Sequence, residues 1–123
     1  MSVLIVEDER RIASFLAKGL RRQGYEVQCA HTGSDGLAAA FGEADGPPAD
    51  LVMLDLGLPD IDGLDVLRTL RERGSDVPVI VLTARTEESD RAEALRLGAV
   101  EYLTKPLPFP EVLGSVRANL AGG

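Results

Sequence analysis

Five polar side chains stand at the ends of apolar runs, and their types suit one kind of chemistry. Glu7 and Asp8 follow VLIV at 3–6, Asp55 follows LVML at 51–54, Thr83 follows VPVIVL at 77–82, and Lys105 closes EYLT at 101–104. Should the fold gather them, three carboxylates would repel unless some were protonated or a cation joined them. A hard divalent ion with oxygen ligands is the natural remedy, and Mg2+ usually takes one or two carboxylates and keeps several waters. A carboxylate can act as nucleophile. A metal ion, an ammonium group and a hydroxyl then neutralise and bind phosphoryl oxygens, so phosphoryl chemistry fits the set. A Ser-His-Asp arrangement does not, because the sole histidine, His31, follows a different strand and reads as a solvated loop residue. Singly, each residue has a plainer reading. Asp55 would be a loop acid or helix cap, Glu7-Asp8-Glu9 a solvated turn before a helix, Thr83 a strand end and Lys105 a surface charge.

The elements that must position these residues follow from periodicity. Val3–Val6 is a strand, and Ile12, Phe15, Leu16 and Leu20 mark one face of a helix, with Arg10, Arg11, Lys18, Arg21 and Arg22 on its wet side. Gly24 stands where left-handed backbone is wanted after that helix. Residues 25–30 form a second strand, and 34–43 a weak helix because Gly36 and Gly42 lie inside it. After the turn DGPP at 45–48 come a third strand at 51–54 and a helix carrying Leu64, Val66, Leu67 and Leu70, closed by Gly74. The fourth strand is 77–82. A polar helix over 87–97 follows, with Ala92, Leu95 and Leu97 as its apolar content and Gly98 closing it. Tyr102 and Leu103 sit in a fifth strand, and Pro110 opens a last helix with Val112, Leu113, Val116 and Leu120 on its apolar face. Five strand–helix alternations call for an α/β fold with a parallel sheet covered on both faces. The unbroken apolar strands agree. Ligands of such sheets bind beyond the carboxyl ends of the strands, where the strand order reverses.

Bulk properties narrow the class. The chain has 123 residues, a formal charge of −7, 45% hydrophobic and 4% aromatic residues. That is one domain packed by aliphatic side chains, and its acidity makes it a poor nucleic-acid binder by itself. The single cysteine, Cys29 in VQCA, excludes an internal disulfide and reads as a core residue. No run approaches the roughly 20 apolar residues of a spanning helix. The acidic N-terminus is not a signal peptide. A soluble cytoplasmic protein is expected.

VLIVEDE, LDLGLPDIDG, VIVLTAR and EYLTKP, in this order and at these separations, resemble the receiver domain of bacterial two-component response regulators. The resemblance spans essentially the whole chain, and LTAR with the spacing looks most like the OmpR/PhoB class. It implies a flavodoxin-like (βα)5 doubly wound sheet of strand order 2-1-3-4-5, in which strands one and three are neighbours. It implies that Asp55 is a phospho-acceptor served by a sensor histidine kinase. Asp8 would ligate Mg2+ directly, Glu7 mostly through water, and the backbone carbonyl of Gly57 would add a ligand. Thr83 and Lys105 would bind the phosphoryl group, Lys105-Pro106 would be a cis peptide, and Tyr102 would be the aromatic that turns inward when Thr83 moves toward the phosphate. Residues 1–121 would be the receiver and 122–123 a tail or the start of a linker. Output would pass through the face made by helix four, strand five and helix five to a C-terminal DNA-binding domain. A complete single-domain receiver, acting in a relay or as a protein-binding switch, is the alternative.

The chain departs from the family pattern in two places. Gly57 is often a larger residue, and its lack of a side chain predicts freer water access to the phosphoryl site. The OmpR/PhoB class commonly dimerises through charged pairs on the output face. Arg91 and Glu111 match one pair, whereas Val100 and Ser115 replace both members of another, which avoids a stranded charge. A phosphatase of the haloacid-dehalogenase kind would also use an Asp nucleophile, but it wants an acid two residues later, where Gly57 stands.

Overall fold

The computed structural model describes residues 1–120, so the expected tail at 122–123 lies outside the described residues. Strands β1 (Ser2–Val6), β2 (Glu26–Ala30), β3 (Leu51–Leu54), β4 (Val79–Thr83) and β5 (Glu101–Thr104) alternate with helices α1 (Arg10–Arg22), α2 (Gly33–Ala40), α3 (Gly63–Glu72), α4 (Glu88–Arg96) and α5 (Phe109–Leu120). All strand pairs are parallel, in the order β2-β1-β3-β4-β5. This is the expected doubly wound flavodoxin-like sheet. No helix among the described residues is long and apolar enough to cross a membrane.

The continuous apolar strands are explained by the two faces they serve. Successive strand side chains point to opposite sides. Leu4, Val6, Val52, Leu54, Val79 and Val81 meet Ala39, Ala40, Val66, Leu67, Leu70 and Ala94 of α2, α3 and α4. Their alternates Val3, Ile5, Leu51, Met53, Ile80 and Leu82 meet Ala13, Leu16, Ala17 and Leu20 of α1 and Val112 and Val116 of α5. Each fully buried aliphatic side chain contributes roughly 1.5–3 kcal/mol over exposure.

Several expectations are corrected by this packing. α1 buries Ala13, Leu16, Ala17 and Leu20, and the alanines let it lie close to the sheet. Phe15 is thereby turned outward, 61% exposed, and meets Phe109 of α5 edge-on at 6.0 Å between ring centroids. On α4, Ala94 is the buried residue, Ala92 and Leu95 face solvent and Leu97 is half-buried. Cys29 is exposed rather than in the core, because β2 is the edge strand and its side chains are only partly covered. α2 is shifted to start at Gly33, and Gly36 inside it is a fitting residue. A Cβ at Gly36 would lie 2.8 and 2.9 Å from the Val6 methyls, so glycine lets α2 press on β1. Gly24 closes α1 at φ 94°, as expected.

Candidate phosphoryl and metal site

The sheet places the site backbone by extending its hydrogen-bond ladder past the strand ends. Glu7 N–H donates to Ala30 O at 2.9 Å, Asp55 N–H to Val6 O at 3.0 Å, and Lys105 N–H to Thr83 O at 2.8 Å. Glu7, Asp55, Thr83 and Lys105 are thus held at one rim. Ligand atoms of Glu7, Asp8 and Asp55 all lie within 4.8 Å of one another. The Lys105 ammonium reaches across from the other side. It donates to Glu7 Oε1 and to Asp55 Oδ2 at 3.1 Å, and sits 3.7 Å from Glu9 Oε2. The Lys105-Pro106 peptide is cis, as the resemblance implied.

Burial sets the electrostatics. Glu7, Asp55 and Thr83 are buried and Asp8 is half-buried. Burial pushes the Glu7 carboxyl up to about 7, against the restraining bonds from Lys105 and the Glu9 N–H, and the charge of Asp55 pushes the same way. Burial also works against ionisation of Asp55. There it is outweighed by the Gly57 N–H at 3.2 Å, by Lys105 and by Thr83, which hold the carboxyl below its ordinary range. Asp55 is therefore an anion, as a nucleophile must be. Lys105 is desolvated too, yet its bonds to Glu7 and Asp55 raise its pKa and keep it charged. Three acids face one ammonium, two of the acids buried, and Asp8 has no ion pair among the described residues. An all-oxygen, net-negative set of this kind fits a hard divalent cation.

The remaining predicted residues lie on the loop after Asp55, on β5 and on the helices α4 and α5. Gly57 is exposed, and a Cβ built on it would meet nothing within 4 Å. Tyr102 is buried, its hydroxyl donating to Arg85 O at 2.9 Å. Arg91 and Glu111 are exposed on α4 and α5 and form no ion pair among the described residues. His31 is not a free loop residue, nor is it remote. Its half-buried ring lies 2.9 Å from the Glu7 carbonyl through Nδ1.

Two groups were missed by sequence reasoning. Arg85 lies two residues after Thr83. Its guanidinium meets both Asp62 oxygens at 3.1 Å and Asp90 at 2.9 and 3.1 Å, while its own N–H donates to Thr83 Oγ1 at 3.3 Å. The Arg of LTAR was the available signal, but its partners lie 23 and 5 residues away. Asp60 is the second, bonding the start of α2 from the loop after Asp55.

Known proteins are similar to this chain in sequence and fold. The profile of the response regulator receiver domain matches residues 3–117. The chain belongs to the receiver domain family. It is 47% identical over 118 residues to the uncharacterized transcriptional regulatory protein YkoG of Bacillus subtilis, covering 96% of this chain and 50% of that protein. It is 43% identical over 121 residues to a probable transcriptional regulatory protein of Picosynechococcus, covering 96% of this chain and 48% of that one. The chain thus spans about half the length of these curated relatives. Among solved structures, the response regulator TrrA of Thermotoga maritima, in complex with Mg2+-BeF, superposes with a TM-score of 0.83 at 33% identity, covering 97% of this chain and 98% of that one. Receiver domains are signalling switches of two-component systems rather than classical enzymes.

Proposed function

We propose that this receiver accepts a phosphoryl group on Asp55 from the phosphohistidine of a sensor histidine kinase. The observation that carries the reading is the ammonium of Lys105 bridging Glu7 and Asp55 from 98 and 50 residues away. An Asp55 carboxylate oxygen attacks phosphorus in line, the P–N bond to the imidazole breaks, and the imidazole leaves with the bond's electron pair. Lys105 stands ready to balance the phosphoryl charge, and the Thr83 hydroxyl to donate to a phosphoryl oxygen. Asp8, Asp55 and the Gly57 carbonyl would hold Mg2+, with Glu7 acting mostly through water. When bound, the ion supplies Lewis-acid neutralisation of phosphoryl oxygens. The domain extends over residues 1–121, with the switch's only catalysis being its own phosphorylation and dephosphorylation.

The readout passes through the face of α4, β5 and α5. Movement of Thr83 toward a phosphate pulls on the Arg85 N–H it accepts, and the Arg85 carbonyl is the seat of the Tyr102 hydroxyl. The dianion thereby biases an equilibrium between two arrangements of that face. Leu95 of α4 and Val100, just before β5, are large apolar side chains 42% and 43% exposed, which supports a homodimer contact. Relatives of twice the length named as transcriptional regulatory proteins support an OmpR/PhoB-like output in the cytoplasm, with DNA met through a separate C-terminal domain. The test is mass spectrometry after incubation with acetyl phosphate and Mg2+. The native chain gains one phosphoryl group and Asp55→Ala gains none; equal labelling of both would reject Asp55.

A further inference from the structure

The loop that carries Gly57 is not held by side-chain packing at Gly57 itself. It doubles back at its base, where Gly63 N–H donates to Leu56 O at 2.9 Å and a Cβ on Gly63 would lie 2.5 Å from Asp55 O. Beyond that base the chain runs out through exposed Gly57, Pro59 and Asp60. The carboxylate of Asp60 there accepts three hydrogen bonds from α2: Gly33 N–H at 2.7 Å, Ser34 N–H at 3.0 Å and Ser34 O–H at 2.9 Å. Thr32 already caps the same helix by accepting from Asp35 N–H at 3.1 Å. The helix thus has its own cap, and Asp60 adds a tie between elements. The junction is also sterically fitted, because a Cβ on Gly33 would lie 3.0 Å from Ile61 Cβ and from Val66 Cγ2. α2 is in turn pressed on Val6, the residue before Glu7, through Gly36.

The acid pair at the end of β1 and the Gly57 loop at the end of β3 are therefore registered to each other through α2. From this geometry we infer that Asp60 is a positioning residue for divalent-cation binding: it pins the loop so that the Gly57 backbone faces Glu7 and Asp8 at a fixed distance. The inference rests on the reading of this rim as a Mg2+ site. Without the three bonds the loop keeps its base contacts, the packing of Leu58 and Ile61 and the Asp62–Arg85 pair, but loses its polar tie to α2. Ordering the freed stretch around Asp60 on cation binding would cost conformational entropy that the native chain has already met on folding.

The test is calorimetric titration of the whole chain with MgCl2, beside a urea midpoint for each variant. Asp60→Ala is expected to raise the Mg2+ Kd roughly tenfold, in the range found when groups behind metal ligands are removed. Ser34→Ala, which loses one bond of three, should raise it less, and Asp60→Asn, which keeps a carbonyl acceptor, should recover part of the loss. A lowered urea midpoint for Asp60→Ala with native Mg2+ affinity would make Asp60 a cap only and overturn the inference. Should Asp60→Ala fail to fold, the other two variants decide it: graded weakening supports the tie, and affinity equal to native removes it. The native titration guards the parent reading, since a native chain that binds no Mg2+ defeats the site assignment itself, whereas native binding with unaffected variants defeats only the role of Asp60.

Discussion

Glu7→Gln should make the metal-free protein more stable, although it deletes a charge bonded to a lysine. Glu7 has a side chain only 4% exposed, and burial lifts its pKa from 4.5 to about 7. One unit corresponds to 1.36 kcal/mol, so ionising Glu7 costs on the order of 3 kcal/mol more in the fold than in the unfolded chain. Below pH 4.5 both states hold the proton and the penalty is absent. Between pH 4.5 and about 7 the native state binds more protons than the unfolded one, so stability falls as pH rises, and above 7 the penalty is complete. Gln is isosteric, stays neutral and still offers Lys105 a carbonyl acceptor. In EDTA, urea midpoints should place Glu7→Gln about 2–3 kcal/mol above native at pH 8 and level with it near pH 4.5. Mg2+ at ten times its Kd should add about 1.4 kcal/mol to the native protein and less to the variant, narrowing the gap. A variant less stable than native at pH 8, or a gap independent of pH, would refute the view that the cluster is a cation site held at an energetic loss.

Four further outcomes follow from individual contacts. Arg71 donates to the carbonyls of Leu97, Ser75, Val77 and Gly98, so Arg71→Ala should lose about 2–3 kcal/mol in urea unfolding while leaving Mg2+ affinity at the native value. Phe15→Ala should cost no more than about 1 kcal/mol, its ring being exposed and held mainly by one edge contact, whereas Leu20→Ala should cost about 2–5 kcal/mol; similar losses in thermal unfolding would contradict the phase of α1. Gly57→Met should fold normally, since nothing lies near a Cβ there, and should lengthen the life of the aspartyl phosphate by screening it from water; an unchanged decay, followed by mass spectrometry, would count against open water access at Gly57. Arg91→Glu should abolish association of the phosphorylated chain in sedimentation, and unchanged association would remove Arg91 from the interface.

What could be read in the sequence was whatever depends on order along the chain. Apolar runs ending in Glu7, Asp55, Thr83 and Lys105 report strand ends directly, and a parallel sheet must bring strand ends to one rim, so convergence of the site followed once the alternation was recognised. Burial was misjudged where it depends on a neighbour's position. Phe15 and Leu95 carry the hydrophobicity of core residues, but α1 and α4 lie close to the sheet through Ala13, Ala17 and Ala94, and small residues at the contact turn large ones outward. Gly36 counted against α2 as a weak helix former, yet the close approach to Val6 makes the missing side chain the reason α2 packs there. Cys29 misled for the complementary reason: its neighbours are apolar in sequence, but an edge strand lacks a partner on one side. The least legible features were Arg85 and Asp60, whose partners lie on other elements, the starts of α2, α3 and α4. Charges of this kind are chosen by three-dimensional proximity and leave no period in the chain. They are also the groups that join one strand end to the next, so the connections through which a phosphoryl group on Asp55 would be felt elsewhere are the part that only coordinates reveal.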